Sequence, residues 1–450
     1  MMSEMSDEDL YSCSASDTDE DEFHKWPRVE RTSRFSLVFF ILGVSLIVPF
    51  TTFVCAAEDV LAGTNKPTGL VIISLAAPSC ILKVVSLCFH QVSYVARVFL
   101  TATFVLAGQL CTVFISNLEG RIVGVCLVSV GTGIGEVCLL MQAAKMLEEA
   151  ALCSFIIGTG AGAVLGAASY VGLTVWATVD PRTAILVSAI WPPLFLLLFT
   201  VSRGNLHLVC NSQTSGSISR FERRNFEVDC RLTPRWRERS LSVWKSCPHF
   251  LVLFLVYFGE YIVLSAILTT LVVEGAGVGP EFVPRGHFEH YVLSTMVGEF
   301  LGRTFISMLR AVAPGFFCIS ASVLAIFPLA QTIFLLLATW YRLVPEVWII
   351  WLLCFIQGTI CGMIFSNSYH IVARRFLSQH VIFTITLACI LETAGILTAG
   401  LIGWHIEPLL LGRCIHHFGN RSDCLTRSTD PGFWEYGNRF NYDSRTALSL

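Results

Sequence analysis

Eleven long blocks of apolar residues, separated by polar breaks, run along the chain at roughly 36–57, 68–89, 94–116, 122–144, 152–177, 183–202, 249–271, 288–309, 315–339, 347–369 and 381–403. A helix crosses the ~30 Å hydrocarbon core of a bilayer with about 20 such residues, so each block predicts a membrane-spanning α-helix. The one long polar interruption, 203–247, divides them six and five. The expected organisation is a polar tail over 1–35, a six-helix bundle over 36–202, a basic loop over 203–247, a five-helix bundle over 248–404 and a second tail over 405–450.

Composition agrees with an all-α polytopic membrane protein. Of the 450 residues 54% are hydrophobic and 14% charged, against about 25% charged in ordinary soluble domains. The net charge of −3 offers no footprint for nucleic acid. Lys25, Arg28, Arg31 and Arg34 before the first helix, and the basic 203–247 loop, place both on the cytosolic side. Eleven crossings then send the 405–450 tail to the opposite face. Two features there suit that face: the "NRS" glycosylation sequon at Asn420, and Cys414 and Cys424, which could pair. A re-entrant "EPLLLG" stretch would reverse the tail. The remaining cysteines lack metal-ligand spacing, and no cofactor or metal is expected. The first 35 residues are acidic and contain no apolar run, so no cleavable signal peptide is expected and the first helix directs insertion. That tail reads as a solvated disordered segment with phosphorylatable serines, or as a sorting signal for adaptor proteins.

"GTGAGAVLGAASYVGLTVWA", residues 158–177, carries glycines spaced like a dinucleotide-binding loop. Such a loop needs a preceding strand and a helix N-terminus at a watery site. Here no ionisable acid or base occurs between Ala151 and Val179. The spacing Gly158, Gly162, Gly166, echoed by Gly131 and Gly135, is instead the small-xxx-small pattern that lets helix backbones approach closely in lipid.

Ionisable residues within apolar helices are costly and mark function. They are Lys83, Glu136, Glu260, Glu299, Arg303 and Glu392, with His370 closing the tenth helix. Glu299 and Arg303 stand one turn apart and predict a local ion pair. Lys83 lies toward a helix end and could snorkel to the interface. Glu136 and Glu260 have no such local partner and belong to opposite halves, which makes them the foremost pocket candidates. Tyr257 and Tyr261 flank Glu260, and Tyr170 and Tyr369 lie in other helices. A carboxylate among aromatic rings could hold an ammonium by charge and cation–π attraction, while Lys83 or Arg303 could face a phosphate or carboxylate. A zwitterionic small solute suits such a lining.

At these residues the chain resembles the battenin family of lysosomal and vacuolar membrane proteins. The resemblance is carried by "GTGIGEVCLL", "GTGAGAVLGAASYVGLT" and "LVYFGEYI", and less strongly by "VGEFLGRTF", "QGTICGMIFSNSYH", "LETAGILTAG" and "CAAEDVL". It implies a major-facilitator-like fold, whose halves rock about a midplane site, and an association with lysosomal export of glycerophosphodiesters and with basic amino acid and pH balance. The matched polar positions are Lys83, Glu136, Ser169, Tyr170, Glu260, Tyr261, Arg303, Asn367 and His370. The chain departs from the family pattern where paired asparagines give way to Leu46 and Ile47, and Asn-Gln to Leu264 and Ser265; its "TALSL" end carries no prenylation box. A transporter of a small-molecule substrate across the bilayer is the first expectation. A non-transporting scaffold or trafficking regulator is the alternative, and an enzyme is not expected, since no nucleophile–base or metal-ligand pair is visible.

Overall fold

The computed structural model describes residues 32–88, 93–145, 149–212, 236–272, 284–312, 321–375, 378–418, 424–428, 430 and 432–436. The acidic tail before residue 32, the centre of the basic loop (213–235) and Asn420 lie outside the described residues. The helices are α1 (Thr32–Cys55), α2 (Ala57–Val60), α3 (Gly69–Cys88), α4 (Tyr94–Phe114), α5 (Leu118–Lys145), α6 (Glu149–Val171), α7 (Pro181–Ser188), α8 (Trp191–Ser212), α9 (Trp236–Ile262), α10 (Pro284–Val312), α11 (Ala321–Leu324), α12 (Ile326–Tyr341), α13 (Val347–Arg375), α14 (Ser378–Phe418) and α15 (Phe433–Tyr436). Single π-helical turns, Gly172–Trp176 and Val263–Ile267, continue α6 and α9.

Ten helices among the described residues are long and apolar enough to cross a membrane, and the protein is a multi-pass membrane protein. Of the block expected at 315–339, residues 315–320 lie outside the described residues and the rest forms a broken element: α11, a turn at Ala325, and α12, whose 16 residues span about 24 Å. The sixth block is also broken, at Ala189–Ile190, because Pro192 and Pro193 lack the N–H groups that would continue the ladder and so sit in a new first turn. Three expected boundaries move. α8 persists to Ser212 and α9 starts at Trp236, which shortens the polar loop at both ends. The last helix does not stop near 404: α14 runs 41 residues, through Pro408, to Phe418. Ile406, Leu409 and Leu410 give this extension an apolar face that lines one groove with Leu336, Leu337 and Trp340 of α12.

Glycines bring the helices to backbone contact. A Cβ added to Gly162 would lie 2.6 Å from Val44 O, and one on Gly166 2.6 Å from Val48 O; Gly158 faces Phe40 in the same row, so α6 lies directly on α1. Gly131 and Gly135 set α5 against Thr101 and Val105 of α4, with Leu46 of α1 over Gly135. The second half repeats the device where α10 crosses α13. Gly302 approaches Met363 N to 2.8 Å on the same measure, and Gly362 approaches Arg303 N to 3.0 Å. Any larger side chain at such a crossing would separate the helices. The halves then meet along two seams, α3 against α14 and α6 against α10.

Candidate functional site

Between the halves lies a cavity to which each contributes four helices: α1, α3, α5 and α6 from the first, α9, α10, α13 and α14 from the second. It offers about 80 Å³ to the centres of water molecules, where one water needs about 10–15 Å³. Its wall is apolar at Ile47, Phe50, Leu75 and Met296, and ionic at two places.

The first ionic cluster is built on α3, α5 and α14. Lys83 is 3% exposed, so its ammonium reaches no interface; its Nζ donates to Glu136 Oε2 at 2.6 Å and to Thr393 Oγ1 at 2.6 Å. Glu392, beside Thr393, accepts the Tyr369 hydroxyl at 2.8 Å. The second cluster is built on α6, α9, α10 and α13. Arg303 pairs with Glu299 one turn before it, donates through Nη1 to Thr159 Oγ1 at 2.6 Å, and lies 4.1 Å over the Phe365 ring. Tyr257 donates to Glu299 Oε1 at 3.2 Å and accepts from Arg303 Nη2 at 3.4 Å. Arg303 Nε has no hydrogen-bond partner among the described residues. Burying such charges is expensive unless each is paired and hydrogen-bonded, and here the partners come from both halves. Lys83 of the first half reaches Thr393 of the second, and Arg303 of the second reaches Thr159 of the first.

Of the residues singled out in the sequence, Lys83, Glu136, Tyr257, Tyr261 and Arg303 line this cavity. Lys83 does not snorkel, and Glu136 is not partnerless. Each answers the other across 53 residues of sequence, because α3 packs on α5. Glu299 and Arg303 form the local pair that their spacing predicts, and both still face the cavity.

Glu260 is a correction. It is 1% exposed and is absent from the cavity wall. On α9 it stands between Tyr257 and Tyr261 in sequence but on another face, toward Cys361 of α13. Four more residues lie off the cavity. Ser169 Oγ donates to Gly166 O of its own helix at 3.0 Å, and Tyr170 donates to Asp59 Oδ2 at 2.6 Å at the end of the bundle that carries α2. His370 Nε2 lies 3.5 Å from Cys153 Sγ, joining α13 to α6 near the opposite end, and Asn367 is half-buried one turn before it.

Sequence reasoning passed over Thr159 and Thr393. Thr159 sits inside the packing row of α6 but points away from α1, and Thr393 follows Glu392 in "LETAG"; neither carries a signal beyond that adjacency. Ile47 lies on the cavity wall, Leu46 packs over Gly135, and Leu264 and Ser265 are buried in the π-helical turn after α9, where Ser265 Oγ lies 3.5 Å from Ala399 O.

Residues 37–413 match the family described as CLN3 protein. Protein BTN1 of Yarrowia lipolytica is 25% identical over 383 residues, covering 82% of this chain and 93% of its own, and Battenin of Canis lupus familiaris is 24% identical over 355 residues, covering 76% and 77%. Among solved structures, a bacterial homologue of the human lysosomal transporter Spinster, in an inward-facing and unoccupied conformation, superposes with a TM-score of 0.54 at 13% identity over 87% of this chain and 85% of its own. A peptide transporter POT in complex with sulfate gives 0.50 at 14% identity over 87% and 96%. At these identities the likeness is one of fold, and the chain shares the fold of these two transporters.

Proposed function

Since the chain belongs to the CLN3 protein family, we propose that it is a secondary transporter of a small polar or zwitterionic solute, of the class of glycerophosphodiesters or basic amino acids, in a lysosomal or vacuolar membrane. The observation that carries this reading is the pair of ionic clusters, each bridging the two halves across one cavity. A solute bearing both an ammonium and a phosphate or carboxylate could exchange places with these internal partners. Its cationic end would take Glu136 or Glu299, and its anionic end Lys83 or Arg303. Occupancy would then replace the threonine bridges and change how firmly the halves hold together, which is what coupling binding to rocking requires.

The test is solute flux into liposomes containing purified protein. Lys83→Gln and Arg303→Gln, each checked for folding by melting temperature, are expected to abolish flux, whereas Glu260→Gln, off the cavity, is expected to retain it. Wild-type flux in both cavity variants would refute the assignment. A folded wild type that moves no solute of this class would favour the scaffold reading.

A further inference from the structure

The described residues of 424–436, which lie beyond the last long helix, are largely buried. Cys424, Leu425, Thr426, Arg427, Phe433 and Trp434 are all 6% exposed or less. The segment begins on the second half, to which the Cys414–Cys424 disulfide ties it covalently at the end of α14. There Thr426 N donates to Thr269 O at 3.0 Å, and Arg427 Nη2 pairs with Glu407 Oε1 of α14 at 3.0 Å.

From that footing it crosses to the first half. Thr426 Oγ1 donates to Glu58 Oε2 at 3.2 Å, Arg427 Nη1 donates to Lys66 O at 2.5 Å, and Ser428 O accepts from Gly63 N at 3.2 Å. Trp434 lies under the guanidinium of Arg121 at 4.9 Å, and Arg121 in turn donates to Val60 O at 2.7 Å. Beneath the segment the two halves are already in backbone contact: a Cβ on Gly69 of α3 would lie 2.6 Å from Gly400 O of α14. If the halves parted at this end, each of these cross-half bonds would break.

We propose that this segment is a latch, tethered to the second half and clasping the first, that holds this end of the molecule shut and sets the free energy of opening there. The proposal rests on the transport reading for its purpose, though not for its geometry. The disulfide decides which contacts yield: the tether stays, and the clasp on Gly63, Lys66 and Arg121 lets go. Rigid halves that rock about a central site close at one end as they open at the other, so the latch should act on the distant end as well.

Hydrogen–deuterium exchange of the full-length protein in lipid nanodiscs, comparing wild type with Trp434→Ala and Arg427→Gln, tests this. Loosening the clasp is expected to speed exchange in peptides covering 57–75 and 400–410 by about tenfold, the equivalent of ~1.4 kcal/mol in the opening equilibrium. Exchange in peptides covering 150–156 and 366–373, at the opposite end, is expected to slow. Reducing the disulfide of wild type should act in the same direction, and it stands in if Trp434→Ala does not fold. Faster exchange confined to 424–436 and 57–66, with the opposite end unchanged, would show mere fraying and overturn the latch. Flux measured on the same preparations separates the two ideas. Reciprocal exchange without flux would sink transport and leave the latch, and altered flux with an unchanged exchange pattern would do the reverse.

Discussion

Lys83 and Glu136 illustrate how a buried charge is tolerated at the level of single residues. Removing one partner strands the other in a low-dielectric wall, which costs about 3–5 kcal/mol, whereas removing both costs far less. Lys83→Met is therefore expected to lower the melting temperature sharply, and Lys83→Met with Glu136→Gln to recover most of the loss. A double-mutant cycle on purified protein measures this, and additive losses would contradict the pairing. The sequence exposed the two charges as costly but not their match. Glu299 and Arg303 were legible as a pair because helical spacing alone brings them together. Lys83 and Glu136 are joined by the packing of two helices, which no local pattern encodes. Glu260 misled for the related reason that a carboxylate in an apolar helix advertises its cost but not its direction. One helix face away from Tyr257 and Tyr261, it looks into its own half.

At the scale of elements, hydropathy read the crossings well and their ends poorly. The end of α14 was invisible because "HIEPLLLGRCIHHF" mixes polar residues and a proline with an apolar face that only α12 gives a reason to be helical. The short α2 holds Glu58, whose carboxyl is pushed above its ordinary range by burial, and further by neighbouring Asp59, against the opposing pull of Arg427 and the hydroxyls of Thr68 and Thr426. Glu407 of α14 is the other carboxylate facing this group. A carboxyl with a raised pKa in the closed arrangement binds its proton more tightly there than when opened to water. Closed contact at this site is thus favoured at acid pH and weakens as pH rises through the raised value. Exchange of the 57–75 peptide, corrected for its intrinsic rate, is expected to be slower at about pH 5 than at about pH 7.5, and Glu58→Gln is expected to flatten that difference. An unchanged slope in the variant would assign the pH response to another group.

Across the whole molecule, the division into two halves was legible because one polar interruption of the right length separates the apolar blocks. The closing segment was not. "CLTRSTDPGFW" shows no periodicity, and its burial depends on surfaces assembled from residues more than 350 positions earlier, such as Glu58 and Lys66. The disulfide fits an oxidising compartment, and we expect the same face to carry a glycan at Asn420. Glycosidase treatment should shift wild type but not Asn420→Gln on a gel, and a C-terminal tag should be protected in intact organelles. A tag reached from the cytosol would reverse the orientation.

The length of α14 has a mechanical meaning. Its 41 residues reach about 62 Å, roughly twice the hydrocarbon thickness, with Thr393 at the cavity and Cys414 near the far tip. The stretch between those two residues is a rod of about 32 Å, so a tilt of about 10° at the cavity would carry the tip sideways by about 5–6 Å, one helical turn. Under the transport reading, a solute that tilts α14 as it displaces Thr393 from Lys83 would thereby move the disulfide at its end. Pro408, which leaves the carbonyl of Trp404 without its usual amide, is where that lever would bend and lose its stroke.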